Sequence, residues 1–259
     1  MRKFIFGISL WVVFFAAGVG PRPAHADPPP SAAPNREAVS QQRHRQIETA
    51  EVLGNQGRFD EAEAIYARLA RRALEPPIRE WLDQKRAELQ FDKGNGLLNQ
   101  SQPEEAEAAF RRAIELNPHD ADFYNNLAIA LELQGRHPDA AAAIRKALAL
   151  NLEDPKLYNN LGIVLRKMGR EADAEEAYLE AIDLNPDNPD FYVNLAASLE
   201  AQGRFDEAEA QLRKALEISP NDAAIYVRLG SLLRKSGDEP AAEQAYHEAL
   251  GLEPNRAAR

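Results

Sequence analysis

Residues Phe123-Tyr-Asn-Asn-Leu-Ala-Ile-Ala-Leu131 are answered 34 residues later by Leu157-Tyr-Asn-Asn-Leu-Gly-Ile-Val-Leu165, so Ala121–Asn188 carries one pattern twice in succession. Everything downstream keeps that offset. A unit this short cannot bury its own apolar face, and stacking copies of it is what provides a core. The chain therefore reads as a repeat array and not as a globular enzyme. Ala, Glu, Leu and Arg dominate, and no cysteine is present. That composition favours helix and leaves packing alone to hold the array together.

The most regular marker is a column of glycines, Gly57, Gly135, Gly169, Gly203 and Gly237, with Ser101 in the deviant slot. Each closes a helical pattern, where a residue of positive φ is wanted and glycine adopts it at least cost. Before the glycine, Tyr124, Leu127, Ala128 and Leu131 fall on one helical face; after it, Ala140, Ile144, Ala147 and Leu148 do the same. Two columns of small residues accompany these faces. One runs Ala50, Gly94, Ala128, Gly162, Ala196, Gly230 and the other Ala62, Ala106, Ala140, Ala174, Ala208, Ala242. Small side chains at facing positions let antiparallel helices approach closely. Pro118, Pro186, Pro220 and Pro254 stop the second helices, with Leu152 in the missing place. Asp120, Asp154, Asn188 and Asp222 then cap the next helices, and Pro155 and Pro189 open two of them.

This alternation of Tyr, Leu, Gly or Ala and Leu, followed by Ala, aromatic, Ala and Pro, resembles the tetratricopeptide repeat (TPR) family. The resemblance implies an all-α fold, a right-handed α-solenoid of about six helix-turn-helix repeats: 43–76, 87–120, 121–154, 155–188, 189–222 and 223–256. The last four fit the pattern closely. In the first two, Gln46 and Gln90 replace tyrosine, and Leu69 replaces the second small residue. Gly-Arg-Phe-Asp-Glu-Ala-Glu-Ala, identical at 57–64 and 203–210, keeps the first repeat in the set. The insertion 77–86 contains no cap or turn, which predicts one long helix over about 77–99, with Trp81 packed in the core or, as alternatives, capping an exposed end of the array or binding a partner.

Residues 1–26 carry Arg2 and Lys3, an apolar run from Phe4 to Val19 and Ala24-His25-Ala26. This is the layout of a secretory signal peptide cleaved after Ala26, and the run is short against the ~20 residues of a membrane span. The expected location is periplasmic or secreted, with no integral membrane span after cleavage; an uncleaved anchor is the alternative. Residues 27–39, rich in proline, are expected to form a disordered spacer before the repeat domain at 40–259. Losing Arg2, Lys3 and Arg22 takes the net charge from −10 to −13, which disfavours nucleic acid and anionic membrane as partners.

The resemblance also implies that the first helices line a concave groove that takes a protein or extended peptide partner. The column Asp92, Asn126, Asn160, Asn194, Arg228 is expected to face it. An asparagine amide can donate to and accept from a peptide main chain together, although the same residues suit plain helix solvation. One turn on lie Glu132, Arg166, Glu200 and Arg234, with Lys167 and Lys235 beside the arginines. Arg228, Arg234 and Lys235 make the last repeat locally basic, either as a dock for an acidic segment or as a solvated mixed surface. The candidate groove site is thus Asn126, Asn160, Asn194, Arg228, Arg166, Arg234 and Lys235. The family's two-lysine carboxylate clamp is not matched, because the early groove column holds Phe91, Asn125, Asn159 and Val193.

Catalytic motifs, metal spacings and phosphate loops are lacking in the sequence, so neither enzyme activity nor a metal or other cofactor is expected. The leading expectation is a non-catalytic adaptor of the bacterial cell envelope. The alternatives are self-assembly through the last repeat, a homodimer included, and an accessory subunit of an envelope polysaccharide or outer-membrane protein machine.

Overall fold

A computed structural model describes residues 36–73 and 75–252, which form twelve α-helices and no strand. In chain order these are α1 (Arg36–Asn55), α2 (Phe59–Arg72), α3 (Pro76–Asn99), α4 (Pro103–Leu116), α5 (Ala121–Leu133), α6 (His137–Leu150), α7 (Pro155–Lys167), α8 (Glu171–Leu184), α9 (Pro189–Ala201), α10 (Phe205–Ile218), α11 (Ala223–Ser236) and α12 (Glu239–Leu252). The chain divides into units 1–42 and 43–259. Within the second, each odd-numbered helix from α3 on packs on the even one after it, and each pair packs on the next; Ala50 and Leu53 of α1 share a buried cluster with Ala62 and Tyr66 of α2. The result is an all-α solenoid of six helix pairs, as the spacing predicts.

Turn chemistry accounts for the regularity. Gly135 (φ 74°) donates to Glu132 O at 2.8 Å while Arg136 N donates to Leu131 O at 2.9 Å. This paired closure satisfies carbonyls that a helix end would otherwise leave bare. Ser101 makes the same closure at φ 59°, the one non-glycine residue of positive φ among those described. The expected caps hold: Asp120, Asp154, Asn188 and Asp222 each accept from the backbone N–H two residues ahead. Proline is less decisive than its column suggests, since α6 ends in the same register although Leu152 replaces the proline. Asn117, Asn151 and Asn185 occupy the position just after α4, α6 and α8, and each side chain accepts the N–H two residues on, at 3.1, 3.2 and 3.3 Å. A residue that folds its side chain over its own turn ends the helix without help. Pro254 lies outside the described residues.

The small-residue column of the first helices meets the large residues of the second helices as complements. A Cβ on Gly94, Gly162 or Gly230 would come within 2.4, 2.5 and 2.8 Å of the rings of Phe110, Tyr178 and Tyr246. Where the small residue is alanine, at Ala128 and Ala196, the facing second-helix residues are the slimmer Ile144 and Leu212. Repeats two to six thus alternate glycine–aromatic with alanine–aliphatic.

One boundary and one side chain differ from expectation. α1 begins at Arg36, inside the expected 27–39 spacer, because the last proline is Pro34 and the following residues are good helix formers. The signal peptide expected at 1–26 and residues 27–35 lie outside the described residues. The insertion does extend α3, from Pro76 to Asn99. Trp81, however, is 41% exposed beside exposed Ile78, and Leu82 is the buried residue. Leu82 and Leu89 share the face turned to the first repeat, and Trp81 is rotated about 100° from that face.

Candidate functional site

The site begins with the first helices of the pairs. Helices α3 and α5 touch, as do α7 and α9, so first helices of successive repeats lie side by side. The asparagine columns expected to face a groove are joined by amide–amide hydrogen bonds between repeats. Asn160 Nδ2 donates to Asn125 Oδ1 at 2.8 Å, and Asn194 Nδ2 to Asn159 Oδ1 at 2.9 Å. Asn126 Nδ2 reaches back to Asn95 Oδ1 at 2.7 Å. The Asn125 and Asn159 column, set apart by sequence because it does not continue past Val193, is therefore the acceptor side of one ladder. The ladder spends one N–H of each clamp residue. A second N–H on each, and the carbonyls of Asn160 and Asn194, stay available to a main chain.

Beside the ladder lies a small apolar pocket of about 190 Å³ between α5 and α7. Ala128, Ile129, Ile144, Ile163 and Val164 form its walls, with Asn160 and Glu132 among its lining. An aliphatic side chain entering here would place its own backbone beside the Asn160 amide.

The basic residues separate into different environments. Lys235 is bonded to Glu200, and Lys167 to Glu132 in the same register one repeat pair earlier. Arg234 lies over the Tyr246 ring at 5.8 Å. Arg166 is half-buried against Tyr178, and its Nε and the Tyr178 hydroxyl are both buried without a hydrogen-bond partner. Burial pushes the Tyr178 phenol above its ordinary pKa, and the neighbouring Arg166 charge opposes that rise. Arg228 is exposed and forms no ion pair with a described residue. The expected basic cluster thus reduces to Arg228, because its companions are committed within the chain: an aromatic face attracts one cation and a carboxylate the other.

A second set of contacts, which column-by-column reading missed, locks repeats together away from the groove. Glu107 on α4, only 13% exposed, accepts from Arg136 at 2.7 Å and from Gln134 at 3.0 Å. Burial raises its pKa, but hydrogen bonds from Gln134, Arg111 and Arg136 more than reverse this and hold it below the ordinary carboxylate range. Two repeats on, Glu175 is gripped in the same way by Arg204 at 2.6 Å and Gln202 at 3.1 Å. The signal was in the sequence as the tripeptide Gln-Gly-Arg at 134–136 and 202–204, hidden because glycine alone was read as the marker. In the first repeat, Glu63 meets Arg86 of the α3 extension at 2.8 Å instead, which gives the insertion a structural role.

Among the described residues no group of three or more His, Cys, Asp or Glu side chains could hold a metal ion. None of the described helices is long and apolar enough to cross a membrane. What the described residues offer is a surface that includes amides, an apolar pocket and an exposed arginine.

Comparison with known proteins agrees with the fold. No curated protein matches the chain by sequence. Among solved structures, MamA is similar at 22% identity and a TM-score of 0.57, over 64% of this chain and 97% of that one. YrrB, described as a TPR protein with an unusual peptide-binding site, is similar at 23% identity and a TM-score of 0.52, covering 66% and 88%. PilF of Pseudomonas aeruginosa is similar at 18% identity and a TM-score of 0.58, covering 84% and 95%. At these identities the likeness concerns the fold. The model of one family, the C-terminal domain of cilia and flagella-associated protein 70, matches residues 25–259, the whole repeat region and the stretch before it. The chain belongs to that family and is a tetratricopeptide-repeat protein.

Proposed function

We propose that this protein is a non-catalytic scaffold of the bacterial cell envelope that holds an extended segment of a partner protein along its first helices. The observation that carries the reading is the half-buried asparagine ladder on α5, α7 and α9 beside an apolar pocket on the same helices. Amides grip a main chain whatever its sequence, and the pocket adds preference for one aliphatic side chain. The peptide-binding site reported for YrrB supports the same use of the fold. Location in the periplasm, or secretion, rests on the signal-like layout of residues 1–26. The test is to select extended peptides against the folded chain and compare their affinity for Asn126→Ala/Asn160→Ala/Asn194→Ala. A tenfold or greater loss supports the groove, and unchanged affinity sinks it. Export is checked by fractionating cells: a mature form starting at Asp27 outside the cytoplasm is expected, and a full-length cytoplasmic chain contradicts it.

A further inference from the structure

The lock between repeats has a key and a keyhole left over. Its carboxylate column continues from Glu107 and Glu175 to Glu243 on α12, which is exposed and engages no described residue. Its Gln-Gly-Arg tripeptide occurs a third time at Gln56-Gly57-Arg58, at the end of α1. There Gln56 is exposed, and among the described residues Arg58 pairs only with Glu61 of its own repeat, at 2.7 Å. The corresponding Arg204 pairs with its own Glu207 and also reaches back to Glu175. Arg58 thus has the geometry of Arg204 with the outer half of its bonding unused.

We propose that copies of this chain associate head to tail, with Glu243 of one copy held by Gln56 and Arg58 of the next. The surrounding surface fits such a junction. Val52 is 54% exposed, whereas Ala130, Val164, Ser198 and Leu232 in the same register of later repeats are at most 3% exposed. Leu250 is 48% exposed, whereas its counterpart Leu148 is 8% exposed, covered by the following repeat. Charge is complementary as well: Arg43, Arg45 and Arg58 on the first repeat would meet Glu239, Glu243 and Glu248 on α12. Arg45 stands where interior repeats bury Phe123, Leu157, Phe191 and Ile225. The junction is therefore more polar than those within the chain, which keeps it reversible and sensitive to salt. Because the two surfaces differ, each junction leaves one of each open, and growth continues into an open filament or closes into a ring.

The test is sedimentation of the purified full chain over a concentration series at low and high salt. The expected result is an average mass that rises past the dimer with concentration and falls as salt is added. Glu243→Arg and Arg58→Glu should each lower association at least tenfold, since each juxtaposes like charges, while circular dichroism remains helical. Mixing the two variants should restore association, because each then offers the complement of the other's altered surface. A chain that stays monomeric to about 1 mM, a dimer insensitive to both reversals, or a mixture that fails to recover would overturn the proposal.

Discussion

Gly162 shows how single residues set the spacing of the array. The absent Cβ would stand 2.5 Å from the Tyr178 ring, so Gly162→Ala is expected to cost about 1–3 kcal/mol by overpacking. Urea unfolding of Gly162→Ala and of Gly162→Ala/Tyr178→Ile checks this. The second variant recreates the Ala128–Ile144 pairing and should recover most of the loss. Both columns were legible in the sequence, but their pairing was not, because facing positions on antiparallel helices are identified only once the helices are placed. Glu107 gives a pH signature at the same scale. Its carboxyl is held below the ordinary range in the folded chain, so its contribution is present above the unfolded pKa. That contribution is lost as pH falls through the lower, folded value. Stability measured from neutral pH downward should therefore show a shallower acid decline in Glu107→Gln.

At the scale of elements, caps and closures were the part most readable in advance, because they depend on local residues alone. Asp154→Ala removes a side chain that accepts from Lys156 N at 2.9 Å and is expected to cost about 1 kcal/mol. Ser101→Gly should stabilise by about 1 kcal/mol, since φ 59° suits glycine. Both are read from denaturant midpoints. The long α3 was equally legible, from the lack of any cap or turn residue between Pro77 and Ala87. Which face of it turns inward was not, since Ile78, Trp81, Leu82 and Leu89 form a stripe too wide to choose from. Leu82→Ala is accordingly expected to cost about 2–5 kcal/mol and Trp81→Ala less than about 0.5 kcal/mol. The reverse order would mean that Trp81 is covered in the folded chain.

Over the whole molecule, the repeat offset determined the architecture, and the asparagine column lies on first helices that bond to one another from repeat to repeat. The site was only half legible. Asn126, Asn160 and Asn194 lie together on successive helices, yet each is also a rung between repeats. Arg234 and Lys235 are drawn off by Tyr246 and Glu200, partners that a single column cannot reveal. The two roles of the asparagines can be separated. Asn125→Ala/Asn159→Ala removes the acceptors of the ladder while leaving the clamp column in place. The most direct measurement is calorimetric affinity for one selected extended peptide, compared across the parent chain, this double variant and Asn126→Ala/Asn160→Ala/Asn194→Ala. A groove clamp predicts that the double variant loses stability but binds within about threefold of the parent, while the triple variant binds at least tenfold more weakly. Parent-like affinity in the triple variant would contradict the account.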